Sequence, residues 1–377
     1  MTEAPGFFWT ILFFVAAIGP LVFFHELGHY FVGRWCGVKA DVFSIGFGRE
    51  LLGWSDKRGT RWKIGWLPLG GYVKFAGDMS AASTPDAEWQ ALPEAEKAVV
   101  FQSKPVWKRA LIVAAGPVAN FILAILIYMA LFGVYGEMRV QPVASAVTPN
   151  SAAARAGFQP GDRITAINDR EIVRFADMID YVSMRPNQLM TITLDRKGVT
   201  KSITLAPDEE QLVSRFGTKT SVGRLGLQGS GAVRVMLSPF ELPGAATSEV
   251  RRVLRSMVDG LGQIIMGYHS VKELGGPVMI AKLSGEMATM GLGAFFSFMA
   301  VISINLGFIN LLPIPMLDGG HLFFYAIEAI RRKPVALAVQ EWAYRTGFLL
   351  LMGLMLFVTV NDFGRLAFSG ELGGLIG

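Results

Sequence analysis

The sequence predicts a multi-pass α-helical membrane protein of about four transmembrane helices, with a soluble α+β module inserted between the second and third. Hydrophobic residues make up 52% of the 377 residues and charged residues only 17%, whereas soluble domains carry about 25% charged residues. Four apolar stretches are also long enough, or nearly so, to cross a bilayer as helices, which takes about 20 residues each. This composition excludes intrinsic disorder and argues against an ordinary soluble enzyme.

The four predicted spans cover about residues 4–24, 110–134, 291–312 and 347–360. The first carries no charge, and we expect it to remain in the mature protein. Glu3 but no Lys or Arg precedes it, and no small-residue cleavage site follows it, so it does not resemble a signal peptide. Asn305 and Asn310 interrupt the third span, and polar residues at such depth usually face a protein interior.

Positive charge predicts the orientation. The segment between the first two spans holds 12 Lys and Arg residues, the turn between the last two holds Arg331, Arg332 and Lys333, and the N-terminal tail holds none. The positive-inside rule therefore places these two segments in the cytoplasm and both termini outside. The same asymmetry accounts for the net charge of +5. No basic helix or aromatic-basic module is present, so nucleic acid is not expected as a partner.

Residues 135–230 predict an extracytoplasmic module of short strands. Thr191–Leu194 and Val199–Leu205 alternate around a turn, and Phe175–Met184 predicts a short helix. Beyond the module, apolar residues at helical spacing from Val250 to Tyr268 predict an amphipathic helix, which lies on the membrane surface, on the helix bundle or on the module itself. The predicted domains are residues 1–134, 135–230, 231–288 and 289–377.

The pattern His25-Glu26-Leu27-Gly28-His29 lies at the end of the first apolar stretch and indicates a metal site. Residues four apart in an α-helix lie on one face one turn apart, so both imidazoles can bind a single cation. Glu26 can reach a water on that cation and act as a general base. Histidines that only cap or pack are the alternative, and it fits poorly, because such groups are costly to bury in an apolar helix without a cation.

Asp318 is the predicted third ligand. It follows the third span in the segment from Asn310 to His321, at the same cytoplasmic end as the two histidines. Prolines break the helix there and glycines allow a tight turn, so a carboxylate can point into the bundle. The alternative is a turn-capping aspartate. Because Cys36 is the single cysteine, a disulfide within the chain and a thiolate zinc cluster are both excluded.

These motifs, with Gly116-Pro117-x-x-Asn120 in the second span, resemble those of the site-2 protease family of intramembrane zinc metalloproteases. The bacterial RseP-type members are especially similar, and the resemblance covers nearly the whole chain. It implies one zinc ion per chain, bound by His25, His29 and Asp318, with Glu26 activating the water. It also implies that Asn310 contacts substrate or steadies the reaction centre, and that the protein lies in the bacterial cell inner membrane with the active site toward the cytoplasm.

The resemblance also gives roles to two further segments. Residues 151–168 look like the signature of a PDZ domain, of which the length leaves room for one. That domain either binds peptide tails or acts as a spacer or size filter. Arg61–Phe75 predicts a β-hairpin, and a similar segment in the family dips into the membrane beside the zinc. An exposed strand edge near Gly70 and Gly71 would then pair with unwound substrate. The alternative is a surface hairpin anchored by interfacial tryptophans.

The predicted function is an intramembrane zinc endopeptidase that cleaves transmembrane segments of single-span membrane proteins, such as anti-sigma factors or remnant signal peptides, in regulated intramembrane proteolysis. The lipid bilayer is the other expected partner. Two rival functions remain open. A membrane scaffold with a structural metal predicts a closed site of four protein ligands. A metal transporter predicts polar residues on several spans or repeated halves, and neither is visible in the sequence.

Overall fold

A computed structural model of the chain describes residues 6–77, 93–213, 219–268 and 275–368. The chain divides into two compact units. Unit 1 consists of Met1–Tyr128 and Gly276–Thr359, and unit 2 consists of Met129–Gly275 and Val360–Gly377. From the N-terminus the elements are α1 (Phe7–Trp35), β1 (Ala40–Ser55), β2 (Arg61–Phe75), α2 (Glu94–Lys97) and α3 (Val106–Tyr135). Strands β3 (Glu137–Arg139) and β4 (Ala144–Val147), α4 (Ala152–Arg155), β5 (Arg163–Ile167), β6 (Arg170–Glu171) and α5 (Phe175–Ser183) follow.

The next elements are β7 (Met190–Arg196), β8 (Val199–Leu205), β9 (Asp208–Val213), β10 (Lys219–Arg224), β11 (Leu227–Gly229) and β12 (Val233–Val235). The chain then continues through α6 (Leu242–Ile265), α7 (Pro277–Thr289), α8 (Leu292–Asn310), α9 (Asp318–Arg331) and α10 (Leu337–Phe368). Among the described residues four helices, α1, α3, α8 and α10, are long and apolar enough to cross a membrane. This confirms the predicted number of candidate membrane-spanning helices.

Helix α1 is longer than the span predicted from its apolar residues. Its 29 residues extend about 44 Å at about 1.5 Å per residue, and the helix includes the His25 to His29 pattern, as the helical spacing of the two histidines required. The helix ends where Gly37 adopts a φ of 78° and the N–H of Val38 donates to the carbonyl of Gly33, a glycine-dependent helix end.

Helices α1 and α3 approach each other closely at a glycine. A Cβ added at Gly28 would lie 2.3 Å from the carbonyl oxygen of Ala115, so no larger residue fits between the backbones there. The two helices can therefore bring their backbones together beside the His25 to His29 pattern, with Gly28 acting as the small residue that membrane helix interfaces favour.

The hairpin of unit 1 is larger than predicted. Arg61–Phe75, expected to form a hairpin by itself, is the single strand β2, and its partner is β1. The turn lies at residues 56–60, where the Asp56 carboxylate accepts hydrogen bonds from the N–H groups of Arg58 and Thr60. Asp and Gly residues favour turns, and here they come before Arg61. The turn of the hairpin was therefore predicted too late in the chain, inside β2 instead of before it.

Unit 2 contains the predicted module. Its main sheet has the strand order β6-β5-β7-β8, and the predicted pairing across residues 195–198 is confirmed by the register from Met190 with Leu205 to Arg196 with Val199. Helix α5 confirms the predicted short helix and closes one side of the core through Phe175, Met178 and Val182. The β9–β10 hairpin was not predicted.

The amphipathic helix is α6, and within unit 2 it packs on the module. Val250 and Val253 are buried, and arginine and carboxylate side chains join the helix to the module. These ion pairs are Arg174 with Glu249, Arg252 with Asp180, and Arg170 with Asp259. Of the three alternatives left open by the sequence, packing on the module is the one observed for this face of α6.

Candidate metal centre

Three side chains of unit 1 converge on one point. The Nε2 atoms of His25 and His29, both on α1, lie 3.3 Å apart, and Asp318 Oδ2 lies 3.2 Å from the first and 3.5 Å from the second. The side chains of His25, His29 and Asp318 are only 9%, 11% and 17% exposed, and Asp318 Oδ2 has no hydrogen-bond partner. Three ligand-type atoms that meet in a buried place, one of them unpaired, indicate a cation site.

The spacing of the three atoms fits zinc. Zinc binds imidazole nitrogen and carboxylate oxygen at about 2.0–2.2 Å in tetrahedral geometry, which separates neighbouring ligand atoms by about 3.3–3.5 Å. The three measured separations, 3.2, 3.3 and 3.5 Å, lie at that value. In the described part of the chain the cluster consists of these three residues, as in catalytic zinc sites that keep a fourth position open.

Gly116 on α3 leaves the space that this centre requires. A Cβ at that position would lie 2.2 Å from Nε2 of His29 and 2.9 Å from Nε2 of His25. Those are the two nitrogen atoms that face Asp318, so any side chain here would displace them. The small residue thus keeps one side of the ligand cluster free for a cation.

The turn before α9 aims Asp318 at the histidines. Asp318 is the first residue of α9, where the helix dipole favours a carboxylate. Met316 has a φ of 82°, which turns the chain sharply into that helix. A Cβ at Gly319 would lie 2.2 Å from the carbonyl oxygen of Leu312, and one at Gly320 would lie 2.4 Å from that of Ile314. Both glycines are therefore needed for the turn to fold back on α9.

Two hydrogen bonds from α3 orient the imidazoles. Nδ1–H of His29 donates to the carbonyl of Ile112 over 2.9 Å, and the side-chain amide of the fully buried Asn120 lies 3.0 Å from Nδ1 of His25. With the amide turned so that its oxygen accepts from Nδ1–H, Nε2 of His25 keeps its lone pair, and the oxygen gains the partner it otherwise lacks. Both Nε2 atoms are then free to bind a metal.

Glu26 faces a cavity of about 390 Å³ that the ligand residues share. The backbone N–H of Val73 on β2 donates to its carboxylate, and a Cβ at Gly71 would lie 3.0 Å from its Cγ. Strand β2 thus runs directly beside the predicted general base. Residues 71–75 of β2 pair with residues 40–45 of β1 on one side. Among the described strands no other segment pairs with them, so the edge of β2 at this cavity has no strand partner.

The predicted substrate-binding residues lie around the same cavity. Gly70 and Gly71 line it from β2, and Asn310, the last residue of α8, lines it from the bundle. Gly70 has a φ of 95°, a conformation that favours glycine. The structure therefore brings all seven predicted site residues to one place, while the roles assigned to them remain predictions.

Two residues at the site were not predicted. Asn120 was noted only as part of a motif, although Gly116 and Asn120 are four residues apart on a helix and therefore on one face. His321 also lines the cavity, and its Nδ1 lies 2.9 Å from the hydroxyl of Tyr344. Its position three residues after Asp318, one helical turn, could have indicated this neighbourhood.

Unit 2 has a groove of its own, of about 720 Å³. Helix α5 lines one side through Phe175, Met178 and Val182, and residues 222–228 line the other. Within the described strands β11 pairs only with β4, so a strand edge is free in this part of the module. The sequence showed no glycine loop for a peptide carboxylate, whereas Gly226, with a φ of 80°, lies in this wall.

Comparison with known proteins places the chain among metallopeptidases. Residues 13–354 match peptidase family M50. A relative in Agrobacterium fabrum, named a zinc metalloprotease, is 46% identical over 94% of this chain and 95% of its own. Metalloprotease MmpA of Caulobacter vibrioides is 36% identical, over 98% and 99% of the two chains. Regulator of sigma-E protease RseP of Escherichia coli is 31% identical, over 96% and 100%.

Proposed function

The chain belongs to peptidase family M50, the site-2 protease family, and is a zinc metalloprotease; from this premise we propose that it cleaves peptide bonds within the membrane. The observation that carries the proposal is the convergence of Asp318 with His25 and His29, which both lie on α1, a helix long and apolar enough to span a bilayer. His25 lies 18 residues after the start of α1, about 27 Å along its axis. A hydrocarbon core of about 30 Å that begins at the start of α1 would therefore include His25.

We propose His25, His29 and Asp318 as the zinc ligands and Glu26 as the general base. Zinc, when bound, supplies the Lewis acidity that polarises a carbonyl group and makes water acidic near neutral pH. The Glu26 carboxylate accepts the proton of the attacking water and passes it to the leaving amine nitrogen. Asn120 and the carbonyl of Ile112 hold the imidazoles in the tautomer that leaves Nε2 unprotonated.

Strand β2 is the proposed docking edge for substrate. A peptide bond inside a transmembrane helix is shielded by its own hydrogen bonds, and in lipid an unwound segment needs new partners. The free edge of β2 beside Glu26 offers backbone donors and acceptors to such a segment by strand addition. Gly70 and Gly71 allow the close approach, and Asn310 would contact the substrate from the opposite wall.

The proposed substrates are single-span membrane proteins, for which anti-sigma factors and remnant signal peptides are examples. The relative from Escherichia coli is named a regulator of sigma-E protease, which supports this class. We also propose location in the bacterial inner membrane, with the active site toward the cytoplasm and unit 2 and both termini outside. In this proposal the module is a PDZ domain that either binds a peptide tail in its groove or excludes bulky substrates.

Replacement of Glu26 tests the reaction. Glu26→Gln should keep zinc at wild-type stoichiometry, because Glu26 is not a ligand, and should lose about 10²–10⁴-fold in cleavage rate for a model transmembrane peptide in detergent. Glu171→Gln, an exposed glutamate on β6, is the matched control and should cleave normally. Wild-type cleavage by zinc-loaded Glu26→Gln would refute the assignment. Mass spectrometry of the products gives the cleaved bond, and a bond far outside the apolar segment would refute intramembrane cleavage.

A further inference from the structure

The apolar surface of α3 continues beyond the end of the helix. The candidate span covers Val106–Tyr135, and its last residues, Val134 and Tyr135, are 70% and 47% exposed. Gly136, with a φ of 74°, then turns the chain directly into β3. No linker separates the candidate span from this strand, so β3 begins directly after the apolar helix.

Strands β3 and β12 form a two-stranded ribbon at that point. Arg234 lies opposite Met138, and Met236 is two residues farther along, so all three side chains share one face. Met138 and Met236 are 56% and 62% exposed, and Arg234 is exposed as well. We call Met138, Arg234 and Met236 the outer face of the ribbon.

Phe240 lies beside this outer face and is 95% exposed. The chain on either side of it is held against the end of α3. A Cβ at Gly136 would lie 3.0 Å from Sδ of Met236, and one at Gly133 would lie 3.6 Å from Cδ1 of Leu242. Phe240 is therefore confined to the neighbourhood in which the span ends.

Ion pairs around the buried Glu137 fix the ribbon to the module. Glu137 on β3 is 2% exposed and pairs with Arg139 over 2.7 Å and with Arg174 over 3.1 Å. Arg174 also pairs with Glu249 of α6 over 3.0 Å. The pairs of Arg174 connect the ribbon, the start of α5 and α6, so the ribbon is part of the packed module rather than a loose tether.

We propose that the outer face of the ribbon and Phe240 are inserted into the headgroup region of the leaflet from which α3 emerges. Continuity with the lipid-facing surface of α3 identifies the bilayer as the occupant. A fully exposed phenylalanine, two methionines and an arginine are also the combination that interfacial segments use, with apolar groups in the acyl boundary and cations at the phosphates. The module is thereby seated on the membrane surface by its own ribbon.

Spin labelling of the full chain tests this proposal. Cys36 is the only cysteine, so Cys36→Ala allows a single label at Phe240→Cys in nanodiscs of phosphatidylethanolamine and phosphatidylglycerol. Labels at Ile122→Cys on α3 and Val199→Cys on β8, which are 52% and 57% exposed, serve as lipid and water references. We expect the ratio of oxygen to nickel-chelate accessibility at position 240 to lie between those references.

Two results would overturn the proposal. A label at position 240 with the nickel accessibility of Val199→Cys would show that the residue is in water. Protection from both reagents would show that a protein surface, from a second copy or another partner, covers it. As a second measurement, Phe240→Glu should shift a label at Met236→Cys toward the water reference, and an unchanged value would contradict the ribbon's insertion. None of these readouts depends on proteolysis.

Discussion

A methyl group at Gly116 would occupy the space next to both zinc-binding nitrogen atoms. Its Cβ would lie 2.2 Å from Nε2 of His29 and 2.9 Å from Nε2 of His25. An ordinary carbon–nitrogen contact is about 3.5 Å, so Gly116→Ala should move the His29 nitrogen by about 1.3 Å. A metal site tolerates displacements of only about 0.2 Å in its bond lengths.

Removing a hydrogen bond to a metal ligand typically lowers metal affinity by about 10–100-fold. Displacing the ligand atoms themselves should lower zinc affinity by more than that. We expect a loss of at least about 100-fold, or about 2.7 kcal/mol. Competition with a chromophoric chelator measures the affinity, and elemental analysis measures the zinc content of the purified variant. Gly133→Ala is the matched control on the same helix, because the nearest atom to its Cβ, Cδ1 of Leu242, is at 3.6 Å. Wild-type affinity in Gly116→Ala would show that zinc does not bind between these imidazoles.

Three further predictions concern other parts of the chain. Asn120→Ala should weaken zinc binding by about 10–100-fold because the hydrogen bond that orients His25 is lost, whereas Asn120→Asp should retain most of the affinity. Equal losses of zinc affinity in both variants would contradict an orienting role. Burial raises the pKa of Asp162 in the module, but hydrogen bonds from Arg196 and the N–H of Gln159 outweigh it and hold that pKa below its usual value. A carboxyl with a lowered folded-state pKa stabilises above its unfolded pKa of about 3.9 and loses this contribution as pH falls through the folded value. Calorimetry of the full chain should thus show unit 2 melting earlier below about pH 4, with a flatter pH dependence in Asp162→Asn; identical slopes would refute this. Gly71→Val should reduce cleavage while zinc stays bound, because its Cβ would press on the Ser44 carbonyl and Glu26; unchanged cleavage would contradict the close contact of β2 with the proposed general base.

Local spacing was sufficient to predict the histidine pair. His25 and His29 are one helical turn apart, and this spacing does not depend on how the rest of the chain folds. Asp318 could be placed with them because both segments end spans that charge asymmetry assigned to one side. The four candidate membrane helices could be predicted equally well from the sequence, since the length of an apolar stretch is a property of each segment alone.

Contacts between distant segments could not be predicted in the same way. Asn120 lies 95 residues from His25, and nothing in the local pattern of α3 shows which neighbour its amide meets. The pairing of β1 with β2 was missed because the Gly-rich and aromatic stretch after Arg61 suggested a turn inside β2. The deciding feature was instead the hydrogen-bonding carboxylate of Asp56 before it.

The unpaired edge of β2 beside Glu26 has a consequence for which proteins the protease would process. Under the proposed function, a polypeptide becomes reactive only after several of its residues have left the helix and lie extended along that edge. Ease of uncoiling, rather than a fixed consensus around the scissile bond, would then govern turnover. Helix-weakening residues such as Gly, Pro or Asn in the middle of a membrane anchor would promote its degradation, and an unbroken run of leucine would confer resistance.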